Sequence, residues 1–451
     1  MPHVSMDDAM FLLGESMGKP SHVIALQLFE PPPDAPPDYT ETLYRDLLAH
    51  DDVNPVFRKH PRRRLLSPTT LEWVDDGVDL DYHVRRAALP RPGRVRELLE
   101  AVSLQHGVLL DRHRPLWEFH LYEGLADGRF ATTFKTHHAL ADGMSLARFT
   151  LEGMSADPQG RECTPPWVNR AGYETASKPT GHRRTPRPLE SAKLAASAVR
   201  TLRDMAGDTS AHVPYEAPRS IFNTRITGAR RFAGDKWPLA RLKAVSTSAG
   251  CSVNDVVLAM CGSALRDYLL DIEELPDRSL IAMVPISLRR PGSDMEGSAG
   301  GNAFGSILCD LRTDDVDAVT RLESIARTVR VAKERMTSLT PQQAIAVSRL
   351  IMGGSAVSAL TGITATPRQP FNLVISNVPA TPMPLYLNGA QLTDIYPISM
   401  ISEGQAINIT VTPYAQNITF GIVGDRKLVP HLQRLLTHLE NALQALEKEH
   451  A

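Results

Sequence analysis

The chain is poor in the features that announce several large functional classes. Its 451 residues hold four cysteines, Cys163, Cys251, Cys261 and Cys309. No two of them form a CxxC pair, so neither a zinc site nor a disulfide framework is indicated, and a reducing compartment fits this usage. Net charge is −2, which excludes a global basic field that would recruit nucleic acid. No run of about 20 strongly apolar residues occurs, so no membrane-spanning helix is expected. The opening MPHVSMDDAMFLLGES lacks the charged start and long apolar centre of a secretory signal. The nearest approach to an apolar segment, LIMGGSAVSALTGITATP at 350–367, is diluted by Gly, Ser and Thr. It reads as a buried helix rather than a membrane-surface segment. There is no GxGxxG or Walker A loop, no HExxH and no GxSxG elbow.

What is present reads as two mixed α/β halves. HVIALQLFE (22–30) is strand-like and is followed by a proline-rich break and a helical pattern through Leu43 and Leu47. LWEFHLYEG (116–124) and RFATTFKTHH (129–138) form a predicted hairpin around Asp127-Gly128. A helix follows Gly143. Pro, Ser, Thr and charge dominate about 159–220, which reads as a crossover between an N-terminal domain (1–158) and a C-terminal domain (221–451). In the second half, DKWPLARLKAVSTSAG reads as a helix. SVNDVVLAMCGSALRDYLL (252–270) reads as another, with Ser252 as N-cap. SLIAMVPISL (279–288) and FNLVISNVPA (371–380) read as buried strands, AINITVTPYAQNITFGIVGD (406–425) as a hairpin, and the C-terminus as an amphipathic helix.

One stretch concentrates chemistry: FKTHHALADGMS, residues 134–145. Strand neighbours point to opposite faces, so His137 and His138 cannot both enter one cavity. One can face a substrate while the other packs. Metal binding is a poor reading, because neighbouring strand histidines do not converge on one ion and no third ligand lies close in sequence.

HHALADG matches the HHxxxDG motif of CoA-dependent acyltransferases and peptide-synthetase condensation domains. Together with DRHRPLWEFHLYEGL (111–125), SVNDVVLAMCGSALR (252–266), VPISLR (284–289), FNLVISNVP (371–379) and YPISMISEGQAINIT (396–410), the chain resembles the bacterial wax ester synthase/diacylglycerol acyltransferase family. The resemblance runs from about residue 4 to the C-terminus. One departure is Ala380, where the family usually has Gly. The late DFGWG of plant-type acyltransferases is absent.

The resemblance implies an α/β fold of two chloramphenicol-acetyltransferase-like domains, each a mixed sheet with helices, and a tunnel at their interface. It implies long-chain acyl-CoA as co-substrate, no cofactor, and diacylglycerol or a fatty alcohol as acceptor. The protein would be cytoplasmic and meet a membrane or lipid-droplet surface peripherally. His138 would be the general base, and direct transfer the simplest mechanism, since CoA thiolate is already a good leaving group. Asp142 would be structural and pair with an arginine, for which Arg289 is the candidate, and Gly143 would let the backbone reverse. Asn254 and Asp255 start a helix and read equally as caps or as active-site groups. Ser376 and Asn377 could donate to a developing oxyanion or merely satisfy the core. Glu15 falls where the family has a glutamate near the tunnel. Pro115, Leu116 and Trp117 read as packing more than as tunnel wall. Basic clusters at 58–64 and 85–96 read as solvated surface, with the CoA phosphates as the sharper alternative. Rival readings are an amide-forming condensation domain and a degenerate lipid-binding relative.

Overall fold

The computed structural model describes residues 3–64, 67–170, 201, 213–287, 304–361 and 368–450. The expected crossover at 159–220 lies largely outside them. The N-terminal half runs α1 (Met6–Gly14), β1 (His22–Glu30), α2 (Tyr39–Leu48), β2 (Lys59–Arg64), β3 (Ser67–Asp75), α3 (Leu80–His83), β4 (Val84–Ala88), α4 (Val95–Gly107), β5 (Trp117–Glu123), β6 (Phe130–His137) and α5 (Gly143–Leu151). After the crossover come β7 (Arg230–Pro238), α6 (Leu239–Ser248), α7 (Val253–Asp271), β8 (Ile281–Ser287), β9 (Phe304–Asp310), α8 (Ala318–Ser338) and α9 (Pro341–Thr361). The chain closes with β10 (Leu373–Asn377), β11 (Tyr386–Leu387), β12 (Ala390–Ile398), β13 (Ile407–Tyr414), β14 (Asn417–Asp425) and α10 (Arg434–Glu449).

Two six-stranded mixed sheets result, ordered β11-β12-β1-β6-β5-β4 and β7-β14-β13-β10-β8-β9. The strands were legible because their apolar residues follow strand periodicity and turn chemistry brackets them. Gly128, at φ +82°, supplies the left-handed residue of the β5–β6 turn. DKWP is a correction: Asp235–Pro238 continue β7 and pair with β14, and the helix starts only at Leu239. Pro238 lacks the N–H a helix interior requires, so it marks the boundary. The segment at 350–367 belongs to a longer helix, α9, and residues 362–367 lie outside the described residues.

The predicted boundary at residue 221 does not separate the sheets cleanly. β11 and β12 return to the first sheet, where β12 pairs antiparallel with β1 (Ile24 opposite Ile398, Leu26 opposite Tyr396). This brings the second sheet against the first at the crossing of β12 and β14. Thr419 Oγ1 donates to the Ile395 carbonyl at 2.6 Å. A methyl group at Gly421 would collide with the Pro397 carbonyl, and one at Gly234 would lie 2.9 Å from Tyr396 Cδ1. The sheets meet this closely because those two positions carry no side chain.

β6 is central and buried along its whole length. One face carries Phe130 and Phe134, which pack with Phe57 and Trp117 in an aromatic core. Its other face carries Thr133, Lys135 and His137, buried but hydrogen-bonded.

Candidate active site

β6 ends at His137, and there the two-residue alternation ends too. His137 points inward and is fully buried. Its Nδ1 accepts the Ala139 backbone N–H at 3.1 Å. The proton is therefore assigned to Nε2, which lies 3.4 Å from Glu15 Oε1. Its backbone N–H donates to Leu116 O at 3.0 Å, and its carbonyl accepts from Leu140 N at 2.9 Å, which closes the turn.

Glu15 gathers the elements around this histidine. Besides His137, it meets His22 Nε2 at 3.2 Å, Arg112 Nη2 at 2.9 Å and the Ser21 backbone N–H at 3.0 Å. Its side chain is 1% exposed. Burial pushes its pKa up, but hydrogen bonds from His137 and His22 outweigh that and hold the carboxyl well below its usual range. Burial pushes His22 down to about 4 against the pull of Glu15, so its ring is neutral. Glu15 thus anchors the polar layer behind the motif.

His138 is different. It is half-buried and its ring stacks on Phe11 of α1, with centroids 4.3 Å apart and planes at 30°. Its N–H donates to Ser21 O at 2.9 Å. The Ser21 N–H is in turn held by Glu15, so the buried network reaches the His138 backbone through one residue. Burial lowers the His138 pKa from 6.5, while the charges of Asp142 and Asp8 pull upward. At pH 7 the ring is therefore biased toward neutral imidazole, whose unprotonated nitrogen can accept a proton from an alcohol.

Asp142 is the N-cap of α5, and its Oδ1 accepts the Ser145 N–H at 2.8 Å. The partner proposed for it, Arg289, lies outside the described residues. Gly143 is a correction. It is the first helical residue of α5, has no positive φ, and an added methyl would make only ordinary contact with Val378 at 3.8 Å. Backbone reversal is therefore not what it supplies. It lines a small cleft with Ile24, Leu146, Val378, Pro397 and Ser399, where β1, β12 and α5 meet the end of β10.

Ser376 is half-buried, and its hydroxyl lies 2.9 Å from Thr410 Oγ1, which is also 2.9 Å from Ser399 Oγ. A hydroxyl cluster thus adjoins the cleft, while Asn377 is exposed. Asp255 forms a capping box with Ser252, its Oδ2 accepting the Ser252 N–H at 2.9 Å. Asn254 is half-buried beside it. Pro115, Leu116 and Trp117 are buried. Trp117 stacks on His83 and Trp167 and donates to Phe57 O at 2.8 Å. Trp117 is core, and Leu116 acts on the motif through its carbonyl; neither is tunnel wall. Ala380 needs no left-handed backbone, so replacing the family glycine there introduces no strain. In the basic cluster at 85–96, Arg86 pairs with Glu123, Arg94 with Glu97 and Arg96 with Glu100.

Phe11, Ser21, His22, Arg112 and Thr410 were not singled out from the sequence. A histidine inside an apolar strand, as His22 is, was the one available signal.

The chain matches two family profiles, the wax ester synthase/diacylglycerol acyltransferase catalytic domain over residues 4–257 and the WS/DGAT C-terminal domain over 300–447. It is 45% identical to "Probable diacyglycerol O-acyltransferase tgs2" of Mycobacterium tuberculosis, over 98% of both chains. It is 38% identical to "O-acyltransferase WSD" of Acinetobacter baylyi, over 98% of this chain and 96% of that one. Among solved structures, the wax ester synthase/diacylglycerol acyltransferase from Marinobacter aquaeolei VT8 superposes over 100% of both chains, with a TM-score of 0.79 and 36% identity. A condensation domain of the calcium-dependent antibiotic synthetase shares the fold alone, at 14% identity and a TM-score of 0.59. By sequence, profile and structure, this acyltransferase belongs to the wax ester synthase/diacylglycerol acyltransferase family.

Proposed function

We propose that the enzyme transfers a long-chain acyl group from acyl-CoA directly to the hydroxyl of diacylglycerol or a fatty alcohol, with His138 as general base and no further cofactor. The observation that supports this reading is the contrast within the histidine pair. His137 is consumed by Ala139 N–H and Glu15, whereas His138 is only partly buried, ring-stacked and biased toward its neutral form. An alcohol with a pKa near ~16 attacks a thioester slowly unless a base removes its proton as the bond forms. In this mechanism His138 accepts that proton, the alkoxide oxygen bonds to the thioester carbonyl carbon, and the C–S bond breaks. The imidazolium then returns the proton to the CoA thiolate, so the histidine is regenerated. Ser376, within the Thr410–Ser399 hydroxyl cluster, is the candidate donor to the oxyanion. Diacylglycerol is favoured as acceptor because the relatives at 45% identity carry that name.

Both the acceptor and the product are water-insoluble, so the enzyme works at a membrane or lipid-droplet surface. Among the described residues no single helix is long and apolar enough to cross a membrane, and attachment is peripheral in this reading. The test is thiol release from palmitoyl-CoA across a panel of diacylglycerol, hexadecanol and amine acceptors, with product identification. His138→Ala should cut turnover at least ~100-fold while the urea midpoint moves little. A folded His138→Ala enzyme with near-normal turnover, or a stoichiometric acyl-enzyme formed without acceptor, overturns the mechanism.

A further inference from the structure

Helix α1 has two faces with different business. Its inner side carries Asp8, Phe11 and Leu12. Phe11 stacks on His138, and Leu12, 1% exposed, packs with Leu71, Trp73, Leu116 and Ala139. Its outer side carries Met10 and Leu13, both exposed, and Met17 follows in the turn beyond. Met10 and Leu13 are three residues apart on the helix and share one face, and Met17 follows after the chain has left the helix. Met17 is 81% exposed, which is unusual for so large an apolar side chain.

This stripe does not stand alone. Gly228 lies between Met17 and the last turn of α4: a methyl on Gly228 would be 2.9 Å from Met17 O, and one on Gly107 would be 3.0 Å from Gly228 O. Leu104 and Val108 flank Gly107, and they are 71% and 61% exposed. The cations at this margin are occupied. Arg112 binds Glu15 and the Leu12 carbonyl, and Lys19 lies 2.8 Å from the buried Glu403. These two positive charges are directed inward, away from the apolar side chains.

We propose that Met10, Leu13, Met17, Leu104 and Val108 form the face that seats on a lipid surface, delivering acceptor along α1 to His138. The inference rests on the reading that the acceptor is a water-insoluble alcohol. Two features favour lipid as the occupant. Met10 and Leu13 form the back of the same nine-residue helix whose front stacks on the candidate base, so a lipid surface seated there lies about one helix diameter from the site. The margin cations are already paired, which suits shallow insertion of apolar side chains more than headgroup attraction. Seating should accordingly occur on neutral phosphatidylcholine and change little with salt.

The full-length enzyme is floated with phosphatidylcholine vesicles containing dioleoylglycerol, at low and high salt. Wild type should float under both conditions. Met17→Glu and the Leu104→Glu/Val108→Glu pair should lower the bound fraction about tenfold. They should also lose turnover with vesicle-borne diacylglycerol while keeping it with a water-soluble short-chain alcohol. Val316→Glu and Met383→Glu, at exposed apolar positions elsewhere, serve as controls and should float like wild type. Patch variants that float normally, or control variants that fail equally, overturn the assignment of this face. A wild-type enzyme that never floats overturns peripheral docking itself, yet leaves the acyl transfer measured with soluble alcohol intact. Concentration-dependent self-association of wild type that the patch changes abolish, without lipid, reassigns the face to a second copy of the chain.

Discussion

At the scale of single residues, the site is set by which side chains are already satisfied. His138 keeps a nitrogen to spare because the buried layer beneath it takes its partners elsewhere. Its pKa lies below 6.5 chiefly through burial, so the acid limb of kcat/KM should fall below pH 6.5. Phe11→Ala opens one side of the ring to water and should move that limb up toward 6.5. An unmoved limb in a folded Phe11→Ala enzyme would show that Phe11 does not shield the base. Stability has its own pH dependence. His22 is held neutral with a pKa of about 4 and Glu15 is held ionised. Both folded-state values lie below their unfolded ones. The His22 contribution is fully present above about pH 6.5, the unfolded histidine value, and is lost as pH falls through 4, whereas the Glu15 contribution is fully present above the unfolded carboxylate value and is lost only at lower pH. Each pH unit in that window should cost about 1.4 kcal/mol through His22 alone, read as a falling urea midpoint between pH 7 and 5. A flat midpoint would remove His22 from the buried network. The motif at 137–143 was legible because its residues are contiguous. The layer behind it was not, because it is assembled from residues 15, 21, 22, 112 and 137, and no local pattern links them.

At the scale of elements, α5 shows what the motif's aspartate does. Its carboxylate caps the helix, which fixes where the turn from β6 ends. Asparagine caps as well as aspartate, whereas alanine does not. Capping therefore predicts that Asp142→Ala is about 1 kcal/mol less stable than Asp142→Asn. Equal damage in both variants, measured by urea unfolding, would identify the charge rather than the cap as the needed feature. Elements with strong periodicity were readable from sequence, among them β6, β13, β14 and α7. DKWP was misread because its charged and aromatic residues suit a helix start, while its strand character depends on pairing with β14, 180 residues on in the chain. Long-range pairing overrides local preference at strand ends.

At the scale of the whole molecule, the two sheets are locked where β12 and β14 cross. Buried Asp394 adds to the lock, bonding Arg129 Nη1 at 2.8 Å and pairing with Lys236 of the second sheet. Gly421→Ala would place a methyl against the Pro397 carbonyl. It should cost roughly 1–3 kcal/mol, the usual scale of overpacking, and lower activity although His138 is untouched. A Gly421→Ala enzyme with unchanged stability and turnover would mean that the sheets can separate there freely.

The return of β12 to the first sheet also bears on the order in which the chain can mature. Until residues 390–398 are synthesised, the outer edge of β1 has no partner, and its apolar strand HVIALQLFE is open to pairing with other chains. The N-terminal half therefore spends most of translation unfinished, although its sequence is complete by the end of α5. Domains that fold as they emerge usually escape this exposure. Here the last third of the chain acts as an intramolecular guard for the first, and cutting the gene at the crossover would separate β1 from the strand that shields it.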